Sequence, residues 1–124
     1  MEFTFEIIND NKMIIVVTTG DLETKEVADM DLKIRLIAKE LKYKILFDCR
    51  LSKNKISITE AYYWFSTYYD QIYTELKNIP TAYFANKEDW EFYSFFETTS
   101  CNRSIPIRAF LNENDVLNWV DNHS

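Results

Sequence analysis

The chain has 124 residues, 14 basic against 20 acidic side chains for a net charge of −6, and 47% hydrophobic residues. A chain of that length folds as one domain, burying roughly two-thirds of its unfolded surface without a disulfide or metal staple. No apolar run approaches the ~20 residues of a membrane span, so stable membrane insertion is not expected, and the acidity opposes nonspecific nucleic-acid binding, which depends on Lys and Arg meeting phosphates.

The chain opens on the alternating segment Phe3 to Ile8, turns over Asn9 to Lys12, and continues as the β-branched run Met13 to Thr18, a hairpin pattern. Its acidic start lacks the basic and apolar regions of a signal peptide, which makes the cytoplasm the expected compartment. Gly20, the single glycine, marks a backbone conformation that other residues resist. Leu22, Val27, Met30, Ile34, Ile37 and Leu41 approximate helical spacing. Ile45 to Leu51 reads as a strand covered on both faces, and Ser52 to Lys55 as a loop. Ser57-Ile58-Thr59-Glu60 has the form of a capping box. It opens a helix predicted to run to Lys77, with Ala61, Phe65, Tyr68, Ile72 and Leu76 on one face.

Pro80 separates that helix from the strand Thr81 to Ala85. An aromatic helix follows from about Glu88 to Thr99, then a strand from Ile105 to Leu111 whose Pro106 suits a sheet edge. Asn112 can cap a last helix carrying Val116, Leu117, Trp119 and Val120. The order β-β-α-β-α-β-α-β-α predicts an α/β fold with a mixed, mostly parallel five-stranded sheet covered by helices.

Three stretches carry a resemblance. Lys12 to Gly20 with Thr24 and Glu26, Asp48-Cys49-Arg50-Leu51 with the Ser57 capping box, and Ile107 to Phe110 with Val116-Leu117-Asn118-Trp119-Val120 resemble, in order, the motifs of stand-alone STAS-like proteins. That SpoIIAA-like group shades into CRAL-TRIO-like lipid-binding domains. The resemblance implies a single STAS-like domain over 1–124 that binds proteins, nucleotides or lipids more often than it catalyses. The anti-sigma-factor antagonists of this family carry a phosphorylated serine in Asp-Ser-x-Gly at the equivalent helix start. This chain has Ser57 and Thr59 near that place and no glycine, so both are candidate phosphorylation sites without the family's motif.

Charge is segregated. Residues 1–31 hold eight acids and two bases, residues 32–55 eight bases and two acids, and residues 56–124 ten acids and four bases. Ligands of open α/β sheets gather at the carboxyl ends of the strands. Asp48, Arg50, Ser52, Lys53, Lys55, Ser57, Asn86 and Lys87 are expected near that edge, as an anion or acidic-partner site or as an ordinary charged loop. Tyr62, Tyr69 and Tyr73 share one flank of the long helix, with Tyr63 near its charged side and Trp64 on the other flank. These rings suit a homodimer face, an apolar-ligand groove, or simple cover for the sheet. Trp90, Phe92, Tyr93, Phe95 and Phe96 exceed one helix face and read as core, lid or partner site.

Catalytic patterns are missing. One glycine excludes Gly-rich phosphate loops, and the one histidine, His123, is penultimate. Cys49 and Cys101 lack metal-ligand spacing and read as free, mostly buried thiols. No metal or cofactor is expected. The expectation is a regulatory or protein-interaction module, non-catalytic, partnering another protein or itself. The alternative is a binder or carrier of a small apolar or lipid-like ligand.

Overall fold

The alternation at the start of the chain forms the hairpin it predicts. In the computed structural model, which describes residues 1–64, 67, 68, 71 and 74–122, β1 (Glu2–Ile8) and β2 (Met13–Leu22) pair antiparallel with Ile8 opposite Met13. Lys12 closes the turn by donating its amide to the Asn9 carbonyl at 3.2 Å. From there the chain alternates through α1 (Thr24–Leu41), β3 (Lys44–Asp48), β4 (Ser52–Asn54), α2 (Ile58–Trp64), α3 (Thr74–Lys77), β5 (Thr81–Phe84), α4 (Trp90–Asn102), β6 (Ile107–Phe110) and α5 (Glu113–Asn122). Among the described residues, six strands make one mixed sheet in the order β1-β2-β3-β5-β6, with β4 joined to β2. Every pairing other than the hairpin is parallel. The α/β class is as expected; the strand count is six rather than five.

Several boundaries move for physical reasons. The strand expected over 45–51 ends at Asp48, because Ser52 folds back to donate its amide to the Cys49 carbonyl at 3.3 Å. The expected loop 52–55 contains β4 instead. Beyond the end of β3, β2 carries on past Gly20 and offers Gly20, Asp21 and Leu22 to Ser52, Lys53 and Asn54. A three-residue polar strand has no apolar period to betray it. Gly20 has a φ of 81°, the left-handed region that favours glycine.

The helix expected over 57–77 is divided into α2 and α3, with Thr67 and Tyr68 in a π turn. Thr67 donates its hydroxyl back to the Tyr63 carbonyl at 2.7 Å, a bond that competes with regular helix. Phe65, Ile72, Tyr69, Tyr73 and His123 lie outside the described residues. The aromatic helix spans 90–102 rather than 88–99, and the last strand 107–110 rather than 105–111.

Two cores sandwich the sheet. On one face α1, α2, α3 and α4 bury Ile14, Val16, Ile34, Ile45, Phe47, Trp64, Leu76 and Phe96 among others. On the other, α5 sets Val116, Trp119 and Val120 against Met13, Leu46, Ala82 and Phe84. Trp64 is therefore core, not flank. Tyr93 and Phe96 are buried, while Trp90, Phe92 and Phe95 pack against the same core partly exposed.

Within α1 the core-facing stripe includes a salt bridge. Arg35 Nε meets Asp31 Oδ2 at 2.9 Å with both side chains inaccessible. Arg35 Nη1 also donates to the Leu76 carbonyl at 2.9 Å, and the Tyr68 hydroxyl to Asp31 at 3.0 Å. This clamp ties α1 to the π turn and to α3. Leu41, expected inside, is exposed together with Leu32 and Leu36.

Candidate functional site

Gly20 swings β2 toward β4, β3 ends at Asp48, and β5 delivers Asn86, so three loops converge at the carboxyl end of the parallel strands. Short polar bonds fix their shape. Asp48 binds Arg50 through both carboxylate oxygens, from Nε at 2.9 Å and Nη2 at 2.8 Å, and also accepts the Arg50 amide at 3.2 Å. The Arg50 guanidinium lies 4.0 Å from the centroid of the Phe84 ring, a cation–π stack. Burial alone would raise the Asp48 carboxyl, but the hydrogen bonds and charge of Arg50 outweigh it and hold the group below its ordinary range. The hydrogen bond to Asp48 raises the Arg50 guanidinium in turn.

The remaining loops are cross-tied. Ser52 gives its hydroxyl to the Cys49 carbonyl at 2.9 Å and accepts that of Thr18 at 3.1 Å. Asn86 donates to the Ser52 carbonyl and accepts the Asp89 amide, both at 2.9 Å. Asp89 accepts the Asn54 amide at 2.9 Å. The result is an open groove of about 440 Å³. Of the residues expected at this edge, the groove gathers Arg50, Ser52, Lys53 and Asn86, and Asp48 stands behind Arg50. Lys55, Ser57 and Lys87 are exposed but do not line it. Asp21, Glu88 and Asp89, which sequence reasoning passed over, do. Three acids face two bases, one of them already engaged by Asp48, so the groove leans acidic despite the basic sequence around it. Leu51 stands at its rim with 73% of its surface exposed.

The capping box forms as written. Ser57 Oγ accepts the Glu60 amide and Glu60 Oε1 accepts the Ser57 amide, each at 3.1 Å. Glu60 also takes the Thr24 hydroxyl at 2.8 Å, fastening the start of α2 to that of α1. The Ser57 amide and then the Thr24 hydroxyl hold the Glu60 carboxyl below its ordinary range. Phosphate on Ser57 would have to replace that cap. Ser57 and Thr59 are both exposed.

Tyr62 and Tyr63 are 55% and 63% exposed on α2, ring against ring at 6.0 Å. Inside, Trp64, Tyr83, Phe92, Tyr93 and Phe96 surround a cavity of about 20 Å³, room for about one water-sized sphere. Cys49 borders it. Burial pushes its thiol up to about 11, against hydrogen bonds from Tyr93 and Thr18 that work the other way, so it stays a neutral thiol. Cys101 is exposed, not buried as expected. Among the described residues, no group of three His, Cys, Asp or Glu side chains is placed to hold a metal, and no helix is long and apolar enough to cross a membrane.

A scan against protein-family models finds no match, and no curated protein matches the chain.

Proposed function

We propose that the chain is a cytoplasmic, non-catalytic regulatory or protein-interaction module of STAS-like type, with the carboxyl edge of its sheet as the recognition surface. The observation that carries this reading is Leu51. A large apolar side chain displayed to solvent normally needs no explanation. Here it stands on a turn whose every side is tied, by the Asp48–Arg50 pair before it and by Ser52 and Asn86 after it. Such preorganisation lowers the entropy lost when a partner closes over an anchor residue. The mixed charge of Asp21, Lys53 and Glu88 around it suits a protein rim better than a bare phosphate. The STAS-like assignment draws support from the antiparallel hairpin followed by parallel strands, and from the Asp48/Arg50 strand end with its capped helix.

The second reading, a carrier of a small apolar ligand, draws on the ring-lined cavity beside Cys49. At about 20 Å³ it admits a ligand larger than a water only if its lining moves. Native mass spectrometry of freshly purified protein separates the two. The interaction reading expects the bare polypeptide mass, and a specific protein captured from source cells that Leu51→Asp no longer retains. A co-purifying small apolar molecule, or capture indifferent to Leu51→Asp, overturns it.

A further inference from the structure

The backbone pattern of β2 decides which groups of β1 are satisfied. Lys44 donates its amide to the Lys12 carbonyl at 3.1 Å and Lys55 to that of Leu22 at 2.9 Å. Even-numbered residues of β2 therefore turn their polar groups toward β3 and β4, and odd-numbered ones toward β1. The partners of Met13, Ile15, Val17 and Thr19 are Ile8, Glu6, Thr4 and Glu2. The amides and carbonyls of Phe3, Phe5 and Ile7 thus point away from the sheet, and among the described residues no strand pairs with them.

The side chains of those same three residues lie toward α1. Lys33 Nζ sits 5.6 Å from the Phe3 ring centroid and 5.8 Å from that of Phe5. Ile7 shares a shallow apolar groove with Leu36, Ile37, Glu40 and Leu41. Phe5, Ile7 and Leu36 are 38%, 41% and 49% exposed. An open strand edge and an unpartnered apolar stripe are therefore one continuous surface.

We propose that this surface pairs with a second copy of the chain, β1 against β1, antiparallel about a twofold axis through Phe5. The occupant follows from symmetry and charge. A twofold axis perpendicular to the sheet must bring residues of the same face together. With Phe5 opposite itself, Phe3 meets Ile7 on both sides, Glu2 meets Ile8 and Glu6 meets Thr4. The outward groups of Phe3, Phe5 and Ile7 then find partners in the second copy. Sliding the register by two residues either way sets Glu2 opposite Glu6, or Glu6 opposite itself, and like charges directly opposite are disfavoured. The helices agree with that register. Lys33 stands over the Phe3–Phe5 end of β1 and Glu40 over the Ile7 end, so the twofold sets each Lys33 against the Glu40 of the other copy. This assembly is independent of the Leu51 surface at the sheet's carboxyl end.

Sedimentation equilibrium across a concentration series tests it. The unmodified chain dimerises, and Phe5→Lys is monomeric while keeping the far-ultraviolet circular dichroism of the parent. Lys33→Glu and Glu40→Lys each weaken the dimer about tenfold or more, the scale on which like charges brought together cost affinity. The two combined restore it to within about threefold of the parent, because the pair is re-formed with its signs exchanged. A monomeric parent at its highest soluble concentration overturns the proposal. So does a dimer indifferent to Phe5→Lys, or a charge swap that fails to rescue.

Discussion

At β6 the amides of Thr81 and Ala85 reach the carbonyls of Pro106 and Phe110, which leaves the polar groups of Ile107 and Ala109 facing outward. Neither amide is open. Ile107 donates to the Ile105 carbonyl at 2.8 Å, and Ala109 to the Glu97 carboxylate of α4 at 2.6 Å. Glu97 also meets Arg108 Nε at 3.3 Å. At β1, by contrast, no strand among the described residues pairs with the outward groups of Phe3, Phe5 and Ile7, which lie beside apolar side chains. Natural sheets generally protect their edges against unintended strand pairing. A chain that engages the outward amides of one border, and among its described residues leaves those of the other beside apolar side chains, has one border suited to the proposed pairing.

The largest expected effect concerns what holds α1 beside the open border. Replacing Asp31 with Ala strands Arg35 in the core, and breaking a buried pair in this way costs about 3–5 kcal/mol. Urea denaturation should show that loss, with β1 self-pairing weakened in parallel; unchanged stability would mean the clamp does not set the position of α1. Next comes the sealed border. Glu97→Ala leaves the Ala109 amide without its acceptor, which costs about 1–3 kcal/mol for a buried donor, at the lower end here because Glu97 is half-buried, and it should make the protein associate through β6. Glu97→Gln, which can still accept, should lose less. If both variants stay monodisperse and stable, the seal is dispensable.

A smaller effect lies midway between the borders. The Asp48 carboxyl sits below its ordinary value of 3.8 when folded, so it adds stability above that pH and loses it as pH falls through the lower folded value. Because Arg50 is half exposed the contribution is under about 1 kcal/mol. Acid titration of stability should be shallower below pH 3.8 in Asp48→Asn than in the parent. The smallest effect is at the open border itself. Phe5→Thr, a β-branched exposed replacement, should leave monomer stability within about 0.5 kcal/mol while abolishing self-pairing. A large loss of monomer stability would make Phe5 a core residue and the comparison void.

Much of the sheet was legible because its signals are local. The hairpin alternation, the Ser57 capping box and the Asn112 cap, which accepts the Asn114 amide at 2.8 Å, appear where the residues predict. The clamp was hidden because an Asp and an Arg four apart on a helix read as a surface pair. The clue was position: both fall on the Val27, Ile34, Ala38 stripe, while Leu32 and Leu36 fall off it. At the candidate site the strand-end residues Arg50, Ser52, Lys53 and Asn86 were found through chain order. Asp21 was missed because β4 was invisible, and β4 is what brings the end of β2 to the groove; Glu88 and Asp89 were read into the aromatic helix, which begins only at Trp90. The charge of a site follows from which loops topology assembles, not from the segment that names it.

Apart from β4, the strands lie side by side in the sequence in which a ribosome delivers them. Each one emerging can add to a neighbour already in place, so no early strand must wait exposed for a distant late one, the circumstance that slows folding and invites aggregation. When the fifth member of that row arrives, Glu97 has already been synthesised to receive it. Assembly during translation should therefore finish at the protected side, leaving the first-made strand as the one still able to recruit.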